Sequence, residues 1–162
     1  PIAAEQGLRL PLVYNSGGYD SVPTLKLLDG VFDIYMPDFK YMDADTAERL
    51  SGVADYPLRA MEALREMHRQ VGDLQMDRRG IAERGLLVRH LLLPNNLAAT
   101  DRVITFLAPL SQNPYLNLMA QYRPEYRARE CADLRRRATI AEFDTTVEWA
   151  RAAGLTRLDR WR

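Results

Sequence analysis

Two kinds of segment alternate along this chain: short, nearly continuous apolar runs, and longer stretches whose apolar residues return every three or four positions. The opening PIAAEQG reads as the last two turns of a helix ended by Gly7, with no capped start, so a missing N-terminal part is expected. The run Leu10 to Tyr14 then predicts a buried strand that closes in a polar glycine turn at Asn15 to Gly18. SVPTLKLLDG suits a short helix, with Ser21 as N-cap and Gly30 as stop, and VFDIYMPDFKYM is β-rich until it breaks into charge. DADTAERLSG and YPLRAMEALREMHRQVG are helical; in the second, Leu58, Met61, Leu64, Met67 and Val71 recur at helical spacing until Gly72 ends it. DLQMDRRGIAERG lacks a helical period and predicts a loop or irregular hairpin. LLVRHLLLP is the strongest strand, apolar on both faces apart from Arg89 and His90. A helix over TDRVITFLAPL capped by Thr100, a strand over YLNLMAQY, an Arg-rich stretch, a helix over TIAEFDTTVEWARAAG and a short final strand over LTRLDRW complete the chain.

Strand and helix in regular alternation make βαβ units, and hence an α/β fold with a parallel sheet. Near-continuous apolar strands predict a sheet covered on both faces. Four units make about half of an eight-unit (β/α) barrel or a small doubly wound sheet, and the pattern alone does not separate the two. Half a barrel would leave strand edges and an apolar face uncovered, which predicts self-association.

Composition narrows the picture. With 162 residues and 47% hydrophobic side chains, residues 1–162 are one domain or one piece of a larger one. Basic and acidic residues number 22 each, so total charge points neither to nucleic acid nor to an anionic membrane. No apolar run approaches the roughly 18–20 residues of a membrane span, and the start has neither basic leader nor long apolar stretch, which predicts a cytoplasmic protein. The single Cys131 cannot form an internal disulfide or a metal site with other cysteines of this chain. Lysine occurs only at Lys26 and Lys40, and Lys40 stands among the unusual residues.

Ligands of α/β sheets and barrels bind at the C-terminal ends of the parallel strands. Asn15 and Ser16 close the first strand here, Asp38 and Lys40 the second; Arg89 and His90 lie late in the third, and Gln121 and Tyr122 end the fourth. Four polar strand ends on one rim make one cavity. Because side chains alternate along a strand, Ile34, Met36, Asp38 and Lys40 share one face. A carboxylate and an ammonium two residues apart on one face, Asp38 and Lys40, can bind a zwitterionic or hydroxyl-rich ligand; a solvated salt bridge is the plain alternative. Arg89 interrupts an apolar run, and a buried guanidinium without a partner would cost several kcal/mol; its partner is either Asp38 across the sheet or a ligand carboxylate. His90 points to the opposite face and reads as a satisfied core histidine, His68 as a surface one, and Cys131 as an incidental thiol. Lys40 also suits a Schiff-base nucleophile with Asp38 or His90 moving protons, as in a barrel lyase or aldolase. A non-catalytic ligand-binding module is the third reading.

The segments PLVYNSGGYDSVPTLKLLDGVFDIYMPDFKYMD, MHRQVGDLQMDRRGIAERGLLVRHLLLPN and YLNLMAQYRP resemble the C-terminal half of radical S-adenosylmethionine (SAM) proteins related to the pyruvate formate-lyase activating enzymes. The resemblance runs over nearly the whole chain. It implies the C-terminal part of a partial, TIM-like (β/α) barrel with SAM at its C-terminal mouth, beside a [4Fe–4S] cluster on a CxxxCxxC loop. Electron transfer into SAM there yields a 5′-deoxyadenosyl radical that takes a hydrogen from the substrate. It further implies a glycyl-radical enzyme or other protein as partner and flavodoxin or ferredoxin as electron donor. Carried over by position, Asp38, Lys40 and Arg89 would contact SAM, with Leu91 beside Arg89 and Asn15 and Ser16 on the first-strand turn. Met119 and Gln121 lead to Tyr122, which stands where activating enzymes place a histidine near the adenosine. The Met36 carbonyl would aid a monovalent cation site. CxxxCxxC is absent, so the resemblance implies a cluster held upstream of Pro1 and a fragment that does not bind it.

Overall fold

The computed structural model describes residues 2–111 and 113–161. Pro1, part of the expected first helix, lies outside them. The elements run in chain order α1 (Ile2–Glu5), β1 (Val13–Ser16), α2 (Val22–Leu27), β2 (Ile34–Pro37), α3 (Ala44–Ser51), α4 (Tyr56–Val71), β3 (Gln75–Met76), β4 (Ala82–Leu91), α5 (Thr100–Leu107), β5 (Tyr115–Met119), α6 (Ile140–Ala152) and β6 (Arg157–Trp161), with short 3-10 turns after β4 and β5. The sheet order is β1-β2-β4-β5-β6, every neighbouring pair parallel, and β3 pairs antiparallel with the start of β4. This hairpin occupies the segment where an irregular one is expected.

Strand order decides between the two folds that the apolar pattern leaves open. A doubly wound sheet reverses its winding, so its helices cover both faces; here the order advances in one direction and never reverses. Right-handed crossovers between successive neighbours put the helices on one side, as in a barrel. The protein is an α/β fold built as part of a (β/α) barrel.

Two-sided cover is therefore not what forms. Tyr35, Phe39, Leu86, Val88, Leu116 and Leu118 are buried and join Leu64, Met67, Val103, Ile104, Phe143 and Val147 of the helices in one core. The opposite face presents Met36, Asp38, Leu87, Arg89, Leu91, Asn117 and Met119, all only partly buried. An apolar run in sequence reports a strand flanked by low-polarity surroundings; it does not distinguish a face packed on helices from one turned toward a barrel interior. The first strand departs furthest from expectation. It spans Val13–Ser16, sits at the sheet edge, and leaves Leu10, Leu12 and Val13 exposed.

Helix details follow local chemistry. On α4 the buried stripe is Tyr56, Ala60, Ala63, Leu64, Met67 and Val71, while Leu58 is half exposed, so the contact face is rotated from the one that the largest side chains suggest. Small alanines let this helix approach the sheet closely. Thr100 is not the cap of α5. That position falls on Ala99 in a left-handed conformation, and the Thr100 N–H is capped by the Asn96 side chain at 2.8 Å. Thr139 does cap α6, in a capping box with Glu142.

Candidate functional site

Asp38 stands just beyond β2, where the chain touches β4 once more: Asp38 pairs with Arg89 in parallel register, and the Phe39 N–H donates to the Arg89 carbonyl at 2.8 Å. Alternation then puts Asp38, Lys40 and Arg89 on the open face. The Asp38 carboxylate accepts from the Lys40 ammonium at 2.6 Å through one oxygen and from Arg89 Nη2 at 2.7 Å through the other. Arg89 Nη2 also donates to Asn15 Oδ1 at 2.8 Å. Both partners that the sequence leaves open for Arg89 can thus coexist, since Asp38 and Asn15 both engage Nη2 while Nε–H is buried without a partner. A buried N–H left unpaired costs about 1–3 kcal/mol, so this cluster is not closed on itself.

The glycine turn after β1 is tied to the same strand end. A Cβ on Gly18, whose φ is +79°, would lie 2.1 Å from the Asp38 carbonyl oxygen, so only glycine lets the loop lie against Asp38. Tyr56, from the first turn of α4, locks the junction: its hydroxyl accepts the Lys40 N–H at 2.8 Å and lies 2.9 Å and 3.0 Å from the carbonyl oxygens of Gly17 and Asp38, donating to one of them at a time. Burial pushes its pKa well above the usual tyrosine range, so it remains a neutral donor. Sequence reasoning missed Tyr56. A tyrosine among the apolar positions of a helix carries no mark of a hydrogen-bond role, and its partners lie 16 to 39 residues away.

A cavity of about 560 Å³ opens beside this cluster, bounded by Asp38, Lys40, Arg89, Leu91, Met119 at the end of β5 and, from beyond β4 and β5, Leu93, Gln121, Tyr122 and Arg123. Eight of the nine SAM-site residues expected from the sequence are thereby brought together: seven line the cavity and Asn15 reaches it through Arg89. Ser16 is placed otherwise. Its hydroxyl donates to Asp20 at 2.7 Å and accepts from the Gly18 N–H at 3.2 Å, on the face of β1 opposite Asn15. Met36 is half-buried on the open face, paired in register with Asn15. The Tyr122 hydroxyl donates to the Leu134 carbonyl at 2.9 Å, which leaves its ring to face the cavity. Arg123 was not singled out in the sequence; it reads there as one more member of an Arg-rich stretch.

His90 is fully buried on the other face. Nδ1 donates to the Phe39 carbonyl and Nε2 accepts from the Thr100 hydroxyl at 2.8 Å, which fixes a neutral tautomer; burial lowers its pKa to about 4. His68 is half-buried and pairs with Asp73 at 2.9 Å. Cys131 is partly buried with Arg49 Nη1 3.7 Å from its sulfur. A larger cavity, about 1050 Å³, lies on the outer surface between α2 and α4, but Arg59 and Arg69 on its wall are already paired, with Asp55, Glu62, Asp29 and Glu66. Among the described residues, no group of three or more His, Cys, Asp or Glu side chains is arranged to hold a metal ion, and no helix is long and apolar enough to cross a membrane.

Fold and site together define a partial (β/α) barrel with a polar cavity at the C-terminal ends of its strands. No protein-family model matches the chain. An uncharacterized protein of Methanocaldococcus jannaschii is 34% identical over 142 residues, covering 87% of this chain, and the chain spans 38% of that relative's length. Among solved structures, a domain of pyruvate-formate lyase-activating enzyme from Bacteroides vulgatus is similar with a TM-score of 0.67, covering 98% of this chain and 84% of that one at 14% identity. At that identity the likeness shows a shared fold.

Proposed function

We propose that this chain is the SAM-binding part of a radical SAM enzyme of the pyruvate formate-lyase activating kind. The observation that carries the reading is the Asn15–Arg89–Asp38–Lys40 cluster at the strand-end cavity, with Arg89 Nε–H unpaired. The fold shared with an activating-enzyme domain supports it. The residues fit SAM: the buried Nε–H awaits an acceptor such as a carboxylate or ribose oxygen, the cavity is of the size that holds small-molecule ligands, and Tyr122 offers a ring for adenine to stack on. Arg89 would bind an acceptor of SAM, Asp38 orients both Arg89 and Lys40, and Tyr56 with Gly18 keeps their strand end from moving.

SAM with a [4Fe–4S] cluster supplies hydrogen abstraction from a substrate. The described residues do not fit the cluster, since they hold one cysteine and no metal-binding group, so its ligands are proposed to lie outside these 162 residues. The aldolase reading has less support. Lys40 is ion-paired to Asp38, and a paired ammonium is the form that does not attack carbonyls; His90 is sealed on the far face.

Calorimetric titration with SAM tests the proposal. Arg89→Met is expected to weaken binding by about 1.5–3 kcal/mol, the scale of a charge-assisted hydrogen bond, while the protein stays folded. Equal SAM affinity in wild type and variant would remove Arg89 from the site, and absence of SAM binding in the wild type would defeat the reading.

A further inference from the structure

Among the described residues, the cavity lining carries more cations than carboxylates. Lys40, Arg89 and Arg123 face it, against the single carboxylate of Asp38, and that carboxylate is already shared between Lys40 and Arg89. SAM itself carries a sulfonium, an ammonium and one carboxylate, so it enters as a net cation. Among the described residues a cationic ligand would meet a lining of net positive charge, a mismatch because like charges repel in a partly desolvated site. Arg123 is the residue that makes the mismatch: it lines the cavity from the loop after β5, it is exposed, and no carboxylate stands within ion-pair distance of it among the described residues. Its neighbours on the lip are donors too. Gln121 Nε2 has the Met119 thioether as its hydrogen-bond partner, at 3.7 Å, a weak acceptor, and Arg89 Nε–H has none.

We infer that Arg123 anchors the oxyanion of a second ligand, a substrate bearing a carboxylate or phosphate, in the same cavity as SAM. This rests on the SAM reading for the identity of the first ligand; the anion site itself rests on the charge and donor inventory alone. A guanidinium is suited to the task, since its planar fork matches both carboxylate and phosphate oxygens. Reciprocity follows: an anion seated at Arg123 offsets the repulsion felt by SAM, so each ligand should tighten the other by the same factor.

The full chain titrated calorimetrically with SAM, alone and with inorganic phosphate or malonate at matched ionic strength, provides the test. In the wild type at least one anion should tighten SAM binding about fivefold, the scale of one screened unit charge, and which anion does so tells phosphate from carboxylate. Arg123→Gln should tighten SAM on its own by a similar factor and abolish the anion effect, and Arg123→Lys should restore at least part of it. If neither anion alters SAM binding, or if the effect persists in Arg123→Gln, the inference is overturned. If the wild type takes no SAM yet binds one of the anions directly, and Arg123→Gln does not, the SAM reading fails while the oxyanion site stands. Binding of neither SAM nor anion removes both.

Discussion

Arg89 and His90 are consecutive residues of one strand, yet their environments are opposite. His90 points into the helix-packed face, is fully buried, and has both ring nitrogens matched, one to the Phe39 carbonyl and one to the Thr100 hydroxyl. Arg89 points to the open face, is about one-quarter exposed, and after an ion pair with Asp38 and a hydrogen bond to Asn15 still has a buried N–H unmatched. A polar group whose inventory is complete stabilises the fold; one left incomplete at a cavity has a donor to spare, and the proposed SAM site gives it an acceptor. A lone polar residue within an apolar strand carries no label saying which of these it is.

The contrast predicts that changes on the two faces register in different measurements. The largest effect belongs to the helix side: His90→Leu removes both partners at once and strands the Phe39 carbonyl and Thr100 hydroxyl, so stability should fall by about 2–4 kcal/mol in urea unfolding with little direct effect on SAM affinity. A loss below about 1 kcal/mol would mean that this face is less well closed than it looks.

Acid should reveal the same histidine. Its folded pKa, about 4, is below the unfolded value near 6.5, so the unfolded chain takes up the proton first. The stability it contributes is complete above pH 6.5 and is lost as pH falls through that value toward 4, by roughly 3 kcal/mol. Unfolding measured between pH 7 and 4.5 should show this slope in the wild type and a flatter one in His90→Gln; parallel slopes would place the titrating group elsewhere.

At the junction of the two faces, Tyr56→Phe keeps the buried ring but leaves the Lys40 N–H without its acceptor and removes the donor facing Gly17 and Asp38. A loss of about 1–2 kcal/mol is expected, together with weaker SAM binding because the strand end that holds Asp38 loosens. Stability loss with unchanged SAM affinity would separate Tyr56 from the site. The smallest stability change belongs to Arg89→Met. Lys40 still neutralises Asp38 and the carboxylate is partly solvated, so the melting transition should shift by no more than about 1 kcal/mol while SAM affinity drops. A fall of several kcal/mol would mark Arg89 as a structural ion-pair partner like any buried one.

Much of this was legible in the chain. Alternating strand and helix periods gave the α/β class, Gly72 marked the end of α4, and the two-residue alternation of extended backbone through and just beyond β2 placed Asp38 and Lys40 on one face. Alternation likewise sent Arg89 and His90 to opposite sides. These are local consequences, fixed by a few consecutive residues. Other features depend on residues far apart in sequence. The order in which strands pair selected a barrel over a doubly wound sheet and left one face open. The 74-residue reach from Asn15 to Arg89, the Tyr56 hydroxyl between two loops, and the contact that forbids a side chain at Gly18 exist only once the sheet has formed. So does the charge around Arg123, which the sequence shows as one arginine among many and the fold places on the wall of the strand-end cavity. Periodicity decides which way a side chain points; only packing decides what it meets there, since that is set by loop closure and strand pairing between distant segments.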